Sequence, residues 1–431
     1  MEVLVIEGGK TLQGEVKISG SKNASLPLMA ASLLTEEPVI LEDVPNLLDV
    51  KIMMEILAEL GVKVDYKRGM LKLDSSSLNS TIAPHRLVNK MRASFLVVGP
   101  LLGRCGRVKI SLPGGCAIGR RPVDLHWKGM AALGGDFTLG RGDVEATCQR
   151  FKGTRIYLDY PSVGATENLM MAATLAEGET LLENAALDPE VVDLANLLNR
   201  MGGRISGAGT GTIKIQGVDF LQGATFKVIP DRIEAGTYMI AGAMCGNELK
   251  LKNVLMEHVK PLAAKLQEAG ALVEEEEDCV ISISSPTRLQ SVDLKTLPYP
   301  GFPTDLQPQF TSLLSTARGA GLITETVFDN RFRHVEELLR MGADIKVEDN
   351  KLVVRGKESL KGSKVKVSDL RGGAALVLAG LAAEGVTEIR GVHHLDRGYA
   401  GLEQKIRQLG GKVHRVNYKE KFRHFLRDTP C

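Results

Sequence analysis

Aromatic residues are scarce. Phe, Trp and Tyr make up 4% of the 431-residue chain, with a single Trp, so the stacking platforms that hold single-stranded nucleic acid are not expected. Charge of one sign is lacking too. The 54 Lys and Arg stand against 52 Asp and Glu, a formal net charge of +2, so any basic site must be local. The six cysteines (Cys105, Cys116, Cys148, Cys245, Cys279 and Cys431) include no C-x-x-C pair and no histidine at zinc spacing. That excludes the usual zinc modules and fits reduced, cytosolic thiols. Apolar stretches such as 374–383 are too short to span a bilayer. The opening MEVLVIEGGK has no basic stretch before a long apolar run, so no signal peptide is expected. A soluble cytoplasmic protein is the expectation. Glycine, by contrast, is plentiful at 46 residues, and a 44% hydrophobic content excludes a disordered chain.

The glycines mark an internal period. Helix endings followed by a β-like run recur at ILAELG-VKV, MAALGG-DF, LNRMGG-RI, LQEAGA-LV, LLRMGA-DI and IRQLGG-KV. The glycines are Gly61, Gly134, Gly202, Gly270, Gly342 and Gly410, spaced by subtraction at 73, 68, 68, 72 and 68 residues. Each sits where a helix stops, the left-handed position that favours glycine. Upstream in every unit an apolar helix ends at Glu36, Gly106, Gly178, Gly246, Gly319 or Gly385, and a short strand follows. One unit therefore reads helix, strand, helix, hairpin. Six copies fill nearly the whole chain, which predicts repeat architecture. The first helix of each unit is apolar on most faces, so it is expected to be buried all round with sheets outside it. A 3+3 grouping gives two similar lobes with a cleft between them.

Counting back fourteen residues from each landmark reaches the first turn of the buried helix: Lys22, Arg92, Gly164, Arg232, Asp305 and Arg371. Four of the six are cationic, against the preference of the helix dipole. The pattern points to helix N-termini and cations that gather around anions in the cleft. Pairing with neighbouring acids, for instance Arg232 with Asp231 or Glu234, is the competing structural explanation. Gly164, in PSVGATEN, would let a ligand approach the backbone, although turn chemistry alone also explains it. Asp305, in GFPTDLQ, suits a helix N-cap and, among cations, would stay ionised and could serve as a base.

Cys116 stands in LPGGCAIGRRPVDLHWKG, a glycine-flanked loop followed by Arg120 and Arg121. A thiol exposed in a positive field is the reactive candidate. Cys105, Cys148, Cys245 and Cys279 lie in apolar or strand-like contexts and read as inert. Gly9-Lys10-Thr11 lacks the upstream glycine of a phosphate loop, and Gly207, Gly209 and Gly211 read as a hairpin turn. Glu274 to Glu277 read as a solvated hairpin, and the 418–431 tail as a frayed terminus.

At GSKNASLP, PGGCAIGRRPVDLH, SVGATEN, FPTDLQ, ITETVFDNRF, DLRGGAALVLAG and HLDRGY the chain resembles the UDP-N-acetylglucosamine 1-carboxyvinyltransferase (enolpyruvyl transferase) family, in order from the N-terminus to about Val416. The resemblance implies an α/β fold of two inverse, inside-out α/β barrel domains built from six repeats, three per domain, with buried helices surrounded by sheets. The implied division is 22–229 for the lobe carrying the Cys loop, 1–21 with 230–417 for the second, and 418–431 as a tail. It also implies an active site in the interlobe cleft, and transfer of enolpyruvyl from phosphoenolpyruvate to the 3-hydroxyl of UDP-N-acetylglucosamine in peptidoglycan synthesis. No cofactor, metal, nucleic acid, membrane or obligate protein partner is implied. By match of motifs, Cys116 protonates the phosphoenolpyruvate methylene and Asp305 takes the sugar hydroxyl proton. Lys22, Arg121 and Arg397 hold phosphoenolpyruvate, and Asn23 partners the reacting groups. Arg92, the run Arg121, Pro122, Val123, Asp124, Leu125, then Val163, Gly164, Asp305 and Val327 match nucleotide-sugar contacts, and Arg371 a cleft arginine. The family's inhibition by fosfomycin through this Cys is implied as well.

Some positions depart from the family's pattern. Arg120 stands at a usually small position, Ser21 at a common alanine, Gly401 at a bulkier residue, and Tyr160-Pro161 where some members have Lys-Val. Two alternatives are carried: the sister 5-enolpyruvylshikimate-3-phosphate synthase, disfavoured by the Cys loop and RPVDLH, and a catalytically silent paralogue that binds the nucleotide sugar. The joint presence of Cys116, Asp305, Lys22 and Arg397 argues against the second.

Overall fold

The computed structural model describes residues 2–111, 123–140, 142–285 and 287–417. They divide into two compact units. The first holds residues 20–111 and 123–229, and the second holds 2–19 and 230–417.

Each repeat opens with a helix too apolar to leave any face in water. The sixth, Leu370–Ala382, reads LRGGAALVLAGLA, and every residue from Arg371 to Leu381 is buried. The fourth, Arg232–Cys245, buries Ile233 to Ala243. Small residues let neighbours approach: a Cβ on Gly236 would lie 2.4 Å from Leu306 Cδ1, and one on Gly242 would lie 2.5 Å from Ile283 Cγ2. In the second unit these two helices and Gln307–Leu314 pack on one another. In the first unit the buried helices are Lys22–Ala31, Val98–Cys105 and Val163–Thr174. At about 2 kcal/mol for each fully buried Leu, Ile, Val or Met side chain, these helices are a main source of cohesion in each unit.

Each unit carries three sheets. In the fifth repeat the strand order is Leu294–Lys295, Ala320–Thr324, Lys351–Arg355, Asp344–Glu348. The first pair is parallel across the buried helix, and the rest are antiparallel. The third repeat has the same arrangement, from Arg155–Tyr157 to the hairpin of Arg204–Ser206 and Thr212–Gln216. The sixth repeat ends in the lone strand Lys412–Asn417, and the N-terminal strand Glu2–Glu7 fills the position between it and Val386–Arg390.

The chain passes between units twice, each time shortly after an edge strand of the unit it leaves. Leu12–Lys17 runs into the Lys22 helix of the first unit, yet pairs in parallel with Gly246–Lys252 of the second. Thr225–Lys227 runs into the Arg232 helix of the second unit, yet pairs with Val39–Glu42 of the first.

All six helix-ending glycines are left-handed, with φ from +86° at Gly410 to +102° at Gly61. The upstream landmark is less uniform than expected. Gly106, Gly178, Gly319 and Gly385 have positive φ, whereas Gly246 has φ −88° because the Arg232 helix runs directly into its strand. A further set escapes the sequence period. Gly8, Gly217 and Gly356 leave a strand, and their N–H groups donate to the carbonyls of Gly385, Gly178 and Gly319 at 2.9–3.0 Å. A Cβ at Gly356 would lie 1.8 Å from the Ala317 carbonyl oxygen. Gly356→Ala should therefore cost about 3 kcal/mol through forced overpacking. Gly134→Ala, with φ +101° and no atom within 4 Å of its Cβ, should cost only the left-handed penalty of about 1–2 kcal/mol. Urea midpoints of the two variants check the difference.

Candidate active site

In the first unit Lys22 is the first residue of its helix. Ser21 caps that helix, its Oγ accepting the Ala24 N–H at 3.2 Å, which gives a purpose to the serine at a common alanine position. Lys22 Nζ lies 3.3 Å from the buried Asp49 carboxylate, and the lysine side chain is itself largely inside the fold. Asn23 follows on the same turn, half-buried. Arg92 also stands at a helix start, but that start is a 3-10 segment, Arg92–Val97, before the α-helix Val98–Cys105. Val163 and Gly164 open their helix after the cap Ser162. Val123 is the N-cap of the Asp124–Ala132 helix, with Asp124 exposed and Leu125 half-buried. Cys116, Arg120, Arg121 and Pro122 lie outside the described residues, as does the 418–431 tail.

In the second unit Asp305 sits in the 3-10 turn Thr304–Leu306 that starts the fifth buried helix. Its carboxylate is bridged. Oδ1 accepts from Arg331 Nη2 at 2.7 Å, and Oδ2 accepts from Arg371 Nε at 3.1 Å and lies 3.0 Å from Arg371 Nη2. Both arginine side chains are almost wholly buried. Burial works against the Arg371 charge, and the Asp305 carboxylate more than offsets it, so Arg371 is raised above the usual arginine range. Arg331 is a residue that sequence reasoning passed over. It lies inside the ITETVFDNRF motif, but nothing local distinguishes it from a surface arginine.

Glu325 was missed as well. It is buried. Its Oε1 accepts from Thr296 Oγ1 at 2.8 Å and from the N–H groups of Val327 and Phe328 at 2.8 and 3.2 Å, and its Oε2 accepts from Thr304 Oγ1 at 2.9 Å. It thus fixes both the Val327 turn and the turn that carries Asp305. Arg397 ends the 3-10 segment Val392–Arg397. The preceding Asp396 is gripped by Arg415, which also pairs with Glu403 and Glu2. Arg232 places its guanidinium 5.4 Å from the Tyr299 ring centre. Of the two acids proposed as its partners, Asp231 caps the helix through the N–H groups of Ile233 and Glu234, and Glu234 binds Lys405 at 2.6 Å.

Among the described residues, several buried polar atoms around Asp305 have no partner: Arg331 Nε, Arg371 Nη1, Gln309 Oε1 and both ring nitrogens of His334. Such a concentration suits a site that completes its hydrogen bonds with a ligand or water. Burial pushes His334 down to about 4, with the Asp369 carboxylate acting in the opposite direction. Among the described residues no group of three or more His, Cys, Asp or Glu could hold a metal, and no helix is long and apolar enough to cross a membrane. The cysteines differ more than their sequence contexts suggest. Burial pushes Cys245 up to about 12 and raises Cys105 and Cys148, whereas Cys279, expected to be inert in a strand-like setting, is exposed at a hairpin turn with φ +59°.

The first unit also buries acids. Asp193 accepts the Ile229 N–H at 3.3 Å, and burial pushes it up to about 7, with Glu190 adding to the rise. Because the folded value lies above the unfolded one, its contribution to stability is fully present below about pH 3.9 and lost as pH rises through about 7. Asp193→Asn should therefore stabilise the protein at pH 8 by up to about 4 kcal/mol, with the gain closing toward pH 4. Thermal melts of both proteins across that window test the sign.

Residues 6–406 match the profile of the family described as EPSP synthase (3-phosphoshikimate 1-carboxyvinyltransferase). UDP-N-acetylglucosamine 1-carboxyvinyltransferase 2 of Carboxydothermus hydrogenoformans is 56% identical over 418 residues, 97% of this chain and 100% of the relative. UDP-N-acetylglucosamine 1-carboxyvinyltransferase 1 of Caldanaerobacter subterraneus subsp. tengcongensis is 54% identical, covering 95% and 99%. Among solved structures, the enolpyruvyl transferase NikO from Streptomyces tendae superposes with a TM-score of 0.88 at 27% identity, covering 96% and 99%. EPSP synthase from Acinetobacter baumannii superposes at 0.77 and 18% identity, covering 97% and 100%, which is likeness of fold alone.

Proposed function

The chain belongs to the EPSP synthase family, in the company of its UDP-N-acetylglucosamine 1-carboxyvinyltransferases, and from that premise we propose that it transfers enolpyruvyl from phosphoenolpyruvate to the 3-hydroxyl of UDP-N-acetylglucosamine. Phosphate is released, and the product enters peptidoglycan synthesis. The three sheets and three buried helices of each unit are read as the inverse α/β domains of that family. The observation that carries the proposal is the bridging of Asp305 by two buried arginines, Arg331 and Arg371. Two cations so close fix the carboxylate in place and favour its anionic form, the form that a proton acceptor needs. Cations at four of the six helix starts suit two polyanionic substrates.

The reaction is an addition followed by an elimination. Asp305 takes the proton of the sugar hydroxyl as its oxygen bonds to C2 of phosphoenolpyruvate, and Cys116 delivers a proton to the methylene C3. Loss of a proton from C3 and of phosphate from C2 then restores the double bond. Lys22, Arg121 and Arg397 hold phosphoenolpyruvate and the charge that develops on it. Arg92, the run 121–125, Val163, Gly164 and Val327 seat the nucleotide sugar, with Asn23 beside the reacting groups and Arg371 orienting Asp305. A positive field strong enough to ionise Cys116 would disarm it as an acid, so its thiol must stay protonated until substrate arrives.

Phosphate release with UDP-N-acetylglucosamine or with shikimate 3-phosphate as acceptor tests the reading. Release with the sugar nucleotide alone is expected. Release only with shikimate 3-phosphate would move the chain to the sister reaction, and release with neither would leave a binding protein.

A further inference from the structure

The fifth repeat departs from a rule that the other described repeats keep. One residue follows the strand after each buried helix. Asp43, Asn184, Asn253, Glu325 and Gly391 follow Val39–Glu42, Glu179–Glu183, Gly246–Lys252, Ala320–Thr324 and Val386–Arg390. In the second repeat this position lies outside the described residues. Asp43, Asn184, Asn253 and Gly391 are left-handed, with φ from +51° to +79°, and Glu325 is not.

The left-handed residue acts as a one-residue bulge. In three repeats the N–H after it reaches the neighbouring hairpin: Val44 donates to the Gly69 carbonyl, Ala185 to Gly211 and Val254 to Cys279, at 2.8–3.1 Å. In the fifth repeat the bulge is missing. Glu325 itself donates to the Asn350 carbonyl at 2.9 Å, and Asn350 Nδ2 donates back to the Glu325 carbonyl at 3.0 Å.

The side chain changes its task as well. Asn184 and Asn253 tie their turns to the segment before them, Nδ2 donating to the Leu158 and Ile18 carbonyls at 2.7 and 2.9 Å. Thr296 is the equivalent of Leu158 and Ile18, since all three donate their N–H to the last residue of the repeat's strand. Glu325 keeps that tie through Thr296 Oγ1 and adds three more bonds, to Val327 N–H, Phe328 N–H and Thr304 Oγ1. All four donors are neutral, and Glu325 is only 3% exposed. Burying a carboxyl among neutral groups is costly, and an Asn serves the turn in two other repeats. The turn alone does not call for Glu325, whereas the reach to Thr304, next to Asp305 in one 3-10 turn, does.

We propose that Glu325 is a positioning residue of the transfer reaction. Its carboxyl group holds the base Asp305, through Thr304, in fixed relation to the nucleotide-sugar contact at Val327. The inference rests on the proposed function for the roles of Asp305 and Val327.

Three variants, assayed for phosphate release well below their melting temperatures, test it. Misplacing a reacting group by about 1 Å corresponds to about a 100-fold loss of rate, and one lost ligand hydrogen bond to about a tenfold loss of affinity. Thr304→Val removes only the tie to the base, so kcat should fall about 10–100-fold while KM for UDP-N-acetylglucosamine changes less than about two-fold. Glu325→Asp is too short to span both turns. It should lower kcat by the same factor and also raise the nucleotide-sugar KM about tenfold, with KM for phosphoenolpyruvate changed less than about two-fold. Glu325→Gln keeps Oε1 for Thr296, Val327 and Phe328 and offers Nε2 to the Thr304 oxygen, so it should stay within about threefold of the wild type.

Wild-type kcat in Thr304→Val would overturn the proposal, even where Glu325→Asp does not fold. So would a lowered melting temperature in Glu325→Asp with kcat and KM unchanged, or a Glu325→Gln variant as defective as Glu325→Asp. Should the wild type release no phosphate, the proposed function fails, and calorimetry with UDP-N-acetylglucosamine decides this inference separately. About tenfold weaker binding by Glu325→Asp is expected there, and equal affinity, or none in either protein, would overturn it.

Discussion

Replacing Asp305 by Asn is expected to lower kcat for enolpyruvyl transfer by about a thousandfold, within the usual range for loss of a general base. KM for the two substrates should change far less. Asn matches the carboxylate in shape but cannot take the sugar hydroxyl proton. It also leaves Arg331 and Arg371 facing a neutral amide at positions that now hold a carboxylate at 2.7 and 3.0 Å. Breaking a buried pair of this kind costs about 3–5 kcal/mol, so the variant should also melt several degrees lower. The two effects are separable: saturating both substrates well below the melting temperature isolates the chemical defect. Retention of a tenth or more of the wild-type kcat there would remove Asp305 from the role of base.

Cys116→Ala is expected to abolish phosphate release to a similar extent, by about 10²–10⁴-fold, because the methylene then lacks its proton donor. The same substitution should abolish covalent capture by an epoxide such as fosfomycin. The structure identifies the control this experiment needs. Cys245, Cys105 and Cys148 are held above the ordinary thiol range by burial and should react slowly. Cys279 is exposed and will compete for any alkylating agent, so labelling belongs in a Cys279→Ser background. One equivalent of label lost with Cys116→Ala, together with the activity, is the expected result. Full activity in Cys116→Ala would exclude the thiol as the acid.

Much of the architecture is legible because it depends on local rules repeated six times. A left-handed residue must close each outer helix, and glycine fills that position at Gly61, Gly134, Gly202, Gly270, Gly342 and Gly410, all with positive φ. The six residues found by counting back from the landmarks all fall in the first turn of a helix. The α-helices themselves vary, from eight residues in Val98–Cys105 and Gln307–Leu314 to fourteen in Arg232–Cys245, and 3-10 segments at Arg92–Val97 and Thr304–Leu306 precede the two short ones. The local rule failed at Gly246, where helix meets strand with no left-handed residue between them.

By itself, then, the sequence determined the repeat, the buried helices, the helix-start cations and the Asp305 position, each of which depends on residues close together in the chain. Only the tertiary structure decided which strand pairs with which: that Glu2–Glu7 completes the sixth repeat, and that two edge strands pair with the unit opposite to the helix they lead into. Only it could place Arg331 on Asp305 across 26 residues or Asn168 on His126 across 42. A bond between groups far apart in sequence leaves no periodic trace. A buried arginine, glutamate or histidine reads like a surface one until the fold removes its water and shows which partner takes the water's place.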